Sequence, residues 1–125
     1  MATVVILDDD QVMVELLRTI AEDAGHDAVT ATDLEDVPAG VRGDVVISDL
    51  MPLTAYRPEP ARDWVRRLRA RFAAPVIIVT AHAGALREAD RLGADAVVAK
   101  PFEVEILAAT IRDVMPADPH MRKTP

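Results

Sequence analysis

The chain has 125 residues, half of them apolar, which is the size of one domain with a substantial core. Its net charge of −7 argues against general nucleic-acid binding, and the absence of cysteine excludes disulfides and thiolate metal sites. No apolar run approaches the roughly 20 residues of a membrane span. We expect a cytoplasmic protein without a signal peptide, because residues 1–3 lead directly into the first predicted strand.

Apolar runs that predict strands alternate with stretches of helical periodicity along the first part of the chain. In order, the sequence predicts a strand at 4–7, a helix at 12–21, a weak strand at 26–30, a short helical piece within 33–41 and a strand at 45–48. Asp10 is placed to cap the first helix and Gly25 to end it. Pro38 limits the second helix to a short piece.

The second part continues the same alternation after an irregular, proline-containing stretch. It predicts a helix at 61–72, a strand at 76–79, a short helix at 86–92 ended by Gly93, a strand at 96–99 and a last helix at 104–114. Five strand–helix units in succession predict an α/β fold: a doubly wound, five-stranded parallel sheet flanked by helices. We expect one domain at 1–116 and a flexible C-terminal tail at 117–125.

The helix predicted at 61–72 has an apolar stripe and an outer face rich in arginine. The stripe comprises Ala61, Trp64, Val65, Leu68 and Phe72, and the outer face carries Arg62, Arg66, Arg67, Arg69 and Arg71. A solvated helix face is the favoured interpretation of these arginines. A docking patch for an acidic partner is the alternative.

Polar residues follow four of the predicted strands where each strand ends: Asp8 and Asp9, then Asp49, Thr80 and Lys100. The carboxyl ends of parallel strands meet at one edge of an open sheet, where such folds bind ligands. Neighbouring carboxylates repel one another, and a divalent cation relieves that repulsion; Mg²⁺ suits oxygen ligands and keeps waters that a phosphate can displace. Each residue alone also has a local explanation as a turn, cap or solvated side chain. Together they predict a site for a divalent cation and a phosphoryl group.

The chain resembles the receiver domain of two-component response regulators over residues 3 to about 115. The motifs that carry the resemblance are Ile6-Leu7-Asp8-Asp9-Asp10, Val45-Val46-Ile47-Ser48-Asp49, Val76-Ile77-Ile78-Val79-Thr80-Ala81, Gly93-Ala94 and Lys100-Pro101-Phe102. The resemblance implies a flavodoxin-like fold in which Asp49 accepts a phosphoryl group from a histidine of a partner. It further implies that Asp8 and Asp9 hold Mg²⁺ together with Asp49. Thr80 would hydrogen-bond the phosphoryl group, and Lys100 would pair with one of its oxygens.

The same resemblance implies a signalling module rather than an enzyme, with only self-catalysed phosphotransfer and dephosphorylation. The donor would be a sensor histidine kinase or a histidine phosphotransfer protein, and the output would be a conformational change read by a downstream protein. We expect a stand-alone receiver that contacts neither nucleic acid nor membrane. A homodimer through the helix face at 104–115 is a further expectation.

The sequence departs from the family pattern after Asp49, where only Leu50 and Met51 precede Pro52, one residue fewer than usual. Met51 is the first candidate for a backbone carbonyl that completes the metal shell. Val97 stands where the family commonly has tyrosine or phenylalanine, so an aromatic switch is missing there.

Two other functions stay open at this point. The first is a haloacid-dehalogenase-like phosphohydrolase with Asp8 as nucleophile, since residues 8–12 fit that family's opening motif. Against it, no acidic pair follows Lys100 on the end of a fifth strand, and the chain is short for that family. The second is a pseudo-receiver that binds partners without being phosphorylated.

Overall fold

The computed structural model of the chain describes residues 2–50 and 55–115. The strands are β1 (Thr3–Leu7), β2 (Asp27–Ala31), β3 (Val45–Ser48), β4 (Val76–Thr80) and β5 (Ala96–Ala99). The helices are α1 (Gln11–Asp23), α2 (Pro58–Phe72), α3 (Ala83–Arg87) and α4 (Val104–Val114). All strand pairs are parallel and the order is β2-β1-β3-β4-β5, which confirms the predicted doubly wound sheet. The predicted tail at 117–125 lies outside the described residues.

Side-chain alternation along the central strands divides the core between the two faces of the sheet. On β3, Val46 packs on the side of α2, whereas Val45 and Ile47 pack on the side of α1 and α4. β1, β3 and β4 are covered on both faces, as expected for continuous Val and Ile runs in a parallel sheet. This packing fixes the carboxyl ends of β1, β3 and β4 side by side.

The ends of α1 follow the sequence signals. Asp10 accepts a hydrogen bond from the backbone N–H of Val12 through Oδ1 at 3.0 Å, so it caps the helix as predicted. Gly25 has a φ of +88°, the left-handed conformation that ends many helices. α2 ends instead at Ala73, which has a φ of +51° although it is not a glycine, so the sequence did not mark this end.

The structure differs from the predicted elements in the connections. Between β2 and β3 there is a single 3₁₀ turn, Leu34–Asp36, so the second crossover has no α-helix. The helix predicted at 86–92 begins earlier, as α3, and a 3₁₀ turn at Ala89–Arg91 follows it. Both segments are too short to make a periodic apolar stripe, so periodicity could not define them.

The apolar residues that begin the first and last predicted helices are exposed. Val12 is 81% exposed and Val104 is 47% exposed. Each lies in the first turn of its helix, which leaves the sheet edge before the helix packs back onto the sheet. Within the described ranges, no helix combines the length and the apolar character needed to cross a bilayer.

Candidate functional site

Three residues that directly follow strands are fixed by continued sheet hydrogen bonds. The N–H of Asp8 donates to Ala31 O at 3.3 Å, that of Asp49 to Leu7 O at 3.1 Å, and that of Lys100 to Thr80 O at 2.9 Å. Their backbones are therefore held like strand residues while their side chains project beyond the sheet edge. This is why sequence positions 8, 49 and 100 meet.

Lys100 bridges the carboxylates of Asp8 and Asp49. Its Nζ donates to Asp8 Oδ2 at 2.9 Å and to Asp49 Oδ2 at 3.0 Å. The side chains are 16% exposed for Lys100, 1% for Asp8 and 19% for Asp49. Charge-assisted bonds of this length in a partly dry crevice are among the stronger polar contacts in proteins. Asp49 is the more accessible of the two carboxylates.

The second oxygen of each carboxylate is also occupied. Asp8 Oδ1 accepts the N–H of Asp10 at 2.9 Å, and Asp49 Oδ1 accepts the N–H of Leu50 at 2.7 Å. Both acids are thus oriented by one backbone donor and one shared ammonium group. The arrangement leaves little rotational freedom for either carboxylate.

The balance of forces on Lys100 keeps it charged. Burial alone would lower the pKa of its ammonium group, but the hydrogen bonds and charges of Asp8 and Asp49 outweigh burial and raise that pKa above 10.5. At neutral pH the site therefore contains a fixed positive charge against two carboxylates. Such a charge is suited to stabilising an anionic phosphoryl group.

Asp9 completes a group of three acids suited to a cation. Ligand oxygens of Asp8, Asp9 and Asp49 lie within 4.8 Å of one another, and the Asp9 side chain is exposed. Carboxylate oxygens near an open crevice match the preference of Mg²⁺ for hard ligands and retained waters. The donor set therefore fits the predicted metal. Met51, the candidate for a further carbonyl ligand, lies outside the described residues.

Thr80 lies at the end of β4, next to β3, and is fully buried. Its Oγ1 accepts the N–H of His82 at 3.1 Å. Within residues 2–50 and 55–115, its hydroxyl makes no bond to the three acids. The structure thus brings Asp8, Asp9, Asp49 and Lys100 into one group. Thr80 lies at the same edge, where its carbonyl, rather than its hydroxyl, bonds to Lys100.

Three side-chain hydrogen bonds on the elements around the site were not predicted. Ser48, directly before Asp49, accepts a hydrogen bond from Trp64 Nε1 at 2.8 Å and donates to the Asp49 carbonyl at 2.6 Å. Tyr56 donates its hydroxyl proton to Glu88 Oε1 at 2.9 Å. The available signals were a serine ending an all-aliphatic run and a tryptophan on a buried stripe, whose N–H usually has a partner.

Comparisons with known proteins agree with this geometry. The family model described as the response regulator receiver domain matches residues 4–112. The chain is 33% identical over 122 residues to the sensory transduction protein RegX3 of Mycobacterium bovis, covering 92% of this chain and 51% of that protein. It is 31% identical over 121 residues to the transcriptional regulatory protein CpxR of Klebsiella pneumoniae, covering 92% and 50% respectively. The chain spans about half the length of these curated relatives.

Solved structures give the same result. The chemotaxis protein CheY4 of Vibrio cholerae matches with a TM-score of 0.71 at 26% identity, covering 92% of this chain and 99% of that chain. A response regulator receiver protein from Burkholderia phymatum matches with a TM-score of 0.70 at 32% identity, covering 91% and 94% respectively.

Proposed function

The chain belongs to the response regulator receiver domain family, and we propose that Asp49 is its phosphoryl acceptor. The donor is the phosphohistidine of a sensor histidine kinase or of a histidine phosphotransfer protein. The observation that carries the proposal is the shared bond of Lys100 to Asp8 and Asp49, of which only Asp49 has an appreciably exposed side chain, 19% against 1%. The same difference in side-chain exposure weighs against Asp8 as the nucleophile of a phosphohydrolase.

The proposed transfer is an in-line displacement at phosphorus. A carboxylate oxygen of Asp49 forms the new O–P bond as the N–P bond to the donor histidine breaks. The electron pair of the N–P bond stays on the ring nitrogen, and the histidine leaves as neutral imidazole because its other nitrogen carries a proton. Lys100 is close enough to Asp49, at 3.0 Å, for its ammonium group to balance the charge on the transferred oxygens. Thr80 would hydrogen-bond the phosphoryl group from the end of β4.

Asp8, Asp9 and Asp49 would hold Mg²⁺, with the Met51 carbonyl as a further ligand. The bound ion supplies positive charge next to the transferred phosphoryl oxygens. The chain's own part is to keep three carboxylates together: Asp10 and Leu50 orient two of them through backbone N–H groups, and Lys100 offsets their repulsion.

Mass spectrometry after treatment with acetyl phosphate and Mg²⁺ tests the proposal. We expect one phosphoryl group on the peptide that contains Asp49 and none in Asp49→Asn. Asp9→Ala should keep the fold but lose both Mg²⁺ binding and labelling, whereas Asp33→Ala, which removes an exposed acid outside the site, should change neither. Label on Asp8 would indicate the phosphohydrolase, and an unlabelled wild-type chain would indicate a pseudo-receiver.

The output of the domain is proposed to be a protein contact. Three large apolar side chains are exposed on α3 and α4: Ile106 at 55%, Val104 at 47% and Leu86 at 36%. They lie on the elements that follow Thr80 and Lys100 in the chain, so a rearrangement at these two residues reaches them first. A downstream protein or a second copy of the chain, bound through the 104–115 face, would cover them.

A further inference from the structure

Ser48 is a fully buried hydroxyl at a position where the strand otherwise contains only valine and isoleucine. A buried hydroxyl is unfavourable unless it is hydrogen-bonded. Ser48 satisfies this requirement twice, since Oγ accepts from Trp64 Nε1 and donates to the Asp49 carbonyl. An aliphatic residue would fill the same space without needing any partner, so packing alone does not explain the serine.

The carbonyl that Ser48 holds belongs to the proposed phosphoryl acceptor. The pairing of β3 with β4 ends at Ser48↔Ile78, so Asp49 is the first residue beyond that register. Its N–H is held by Leu7 and its carbonyl by Ser48. Both sides of the Asp49 backbone are therefore fixed, one by the sheet and the other by a side chain from the same strand.

Trp64 connects this bond to the surface of α2. Its side chain is buried, with 4% exposure for the residue, and its indole N–H points to Ser48. The exposed Arg67 lies over the indole ring, with the guanidinium carbon 5.2 Å from the ring centroid. A continuous set of contacts thus runs from Asp49 through Ser48 and Trp64 to the arginine face of α2.

We propose that Ser48 and Trp64 are positioning residues for the acceptor, and that they transmit its phosphorylation state to α2. The inference rests on the proposed function of Asp49. Phosphoryl transfer takes up one oxygen of the Asp49 carboxylate, which Lys100 and the Leu50 N–H now occupy. The Leu50 N–H and the Asp49 carbonyl belong to one peptide unit, so loss of the carboxylate bond frees this peptide to rotate. Ser48, bound to that peptide at 2.6 Å, then follows the carbonyl, and the indole loses or changes its acceptor.

Labelling rates test the positioning role. Ser48→Ala and Trp64→Phe should each slow labelling by acetyl phosphate about three- to tenfold, the equivalent of one neutral hydrogen bond. Ser48→Thr keeps the hydroxyl and should label at nearly the wild-type rate. The double variant Ser48→Ala, Trp64→Phe should be no slower than the slower single variant, because both changes break one connected set of bonds. Val65→Ala, also buried on α2, is the control: it should lower thermal stability without slowing labelling.

The second measurement follows the indole itself, which is unambiguous because the chain has one tryptophan. Adding beryllofluoride and Mg²⁺ should shift the indole ¹H–¹⁵N resonance in the wild type and in Ser48→Thr, but not in Ser48→Ala. Wild-type labelling with an unmoved indole and an unchanged rate in Ser48→Ala would overturn the inference and leave the proposed function intact. An unlabelled wild type would overturn the proposed function, and the inference with it.

Discussion

Lys100 holds together two carboxylates that would otherwise repel each other. Lys100→Met should lower the free energy of unfolding by about 1–3 kcal/mol, less than for a fully buried pair because both Lys100 and Asp49 keep some solvent contact. Millimolar Mg²⁺ should raise the melting temperature of this variant more than that of the wild type, since the cation then replaces the missing charge. Thermal unfolding with and without Mg²⁺ measures both effects.

The control is Arg112→Met, which removes a positive charge from the exposed side of α4.

The loss of stability in Lys100→Met also has a defined pH dependence. Because the folded-state pKa of Lys100 is raised above 10.5, its contribution is complete below that pH and is lost only as pH rises through the raised pKa. The difference from wild type should therefore be constant between about pH 7 and about pH 9. Equal melting temperatures in Lys100→Met and Arg112→Met would contradict the role of Lys100 in holding the two carboxylates together.

The residues of this site differed in how far sequence could reveal them. The meeting of Asp8, Asp49 and Lys100 was predictable because each directly follows a short apolar run that predicts a strand. The Ser48–Trp64 bond was not, because its partners are 16 residues apart on different elements and each fits an apolar pattern. A side-chain pair of this kind depends on how α2 lies across the sheet, which periodicity does not specify.

At the scale of elements, Tyr56 connects the segment after β3 to α3. Its hydroxyl binds Glu88, and its ring lies against Gly84, where an added Cβ would be 2.5 Å from Tyr56 Cδ2. Glycine at 84 is therefore required by the close approach of the ring. The contact links the segment that follows Asp49 to the helix that follows Thr80. It is made by an aromatic side chain, whereas Val97 stands where the family commonly has one.

This contact can be measured through the ionisation of Tyr56, the one tyrosine of the chain. Burial raises the pKa of its hydroxyl above 10.0, and the hydrogen bond and negative charge of Glu88 raise it further. Glu88→Gln should therefore lower the midpoint of the tyrosinate absorbance titration, and Gly84→Ala should lower it too by displacing the ring. The stability linked to this proton is present below pH 10.0 and declines as pH rises through the raised pKa.

Glu105→Gln, which removes an exposed acid on α4, is the matched control and should leave the midpoint unchanged. If Glu88→Gln titrates like the wild type, Tyr56 and Glu88 are not bonded in solution. If Gly84→Ala alone is unchanged, the ring does not lie against α3.

The elements themselves were predictable to the extent that each buries a long, regular apolar face. Strands β1, β3 and β4 and helices α1, α2 and α4 have such faces and lie where the sequence predicts them. Strands β2 and β5 are less buried but also lie at their predicted positions. The connection at Leu34–Asp36 and the segment at 83–91 are too short for periodicity to define their type. The first turns of α1 and α4 show a second limit, because Val12 and Val104 continue the apolar spacing past the point where the sheet can cover them.

At the scale of the molecule, the two layers of helices present different surfaces. α2 carries five arginines, of which Arg69 binds Gly93 O and Asp95, and Arg71 binds the carbonyl of Pro38. These bonds use two of the arginines to fasten α2 to neighbouring loops, which favours a structural role for that part of the face. α4 instead leaves two apolar residues about half exposed, Val104 at 47% and Ile106 at 55%.

Apolar side chains that stay partly exposed in the monomer are suited to an interface. We expect beryllofluoride and Mg²⁺ to promote a dimer through α4, measured by sedimentation velocity. Ile106→Asp, at a residue that is 55% exposed, should weaken that dimer at least about tenfold, because the charge would be buried without a partner. Val12→Asp is the matched control: Val12 is 81% exposed on α1, so it adds the same charge elsewhere. A dimer that Val12→Asp disrupts and Ile106→Asp spares would place the interface on α1. A chain that stays monomeric with the mimic bound would leave the exposed face of α4 to a different protein.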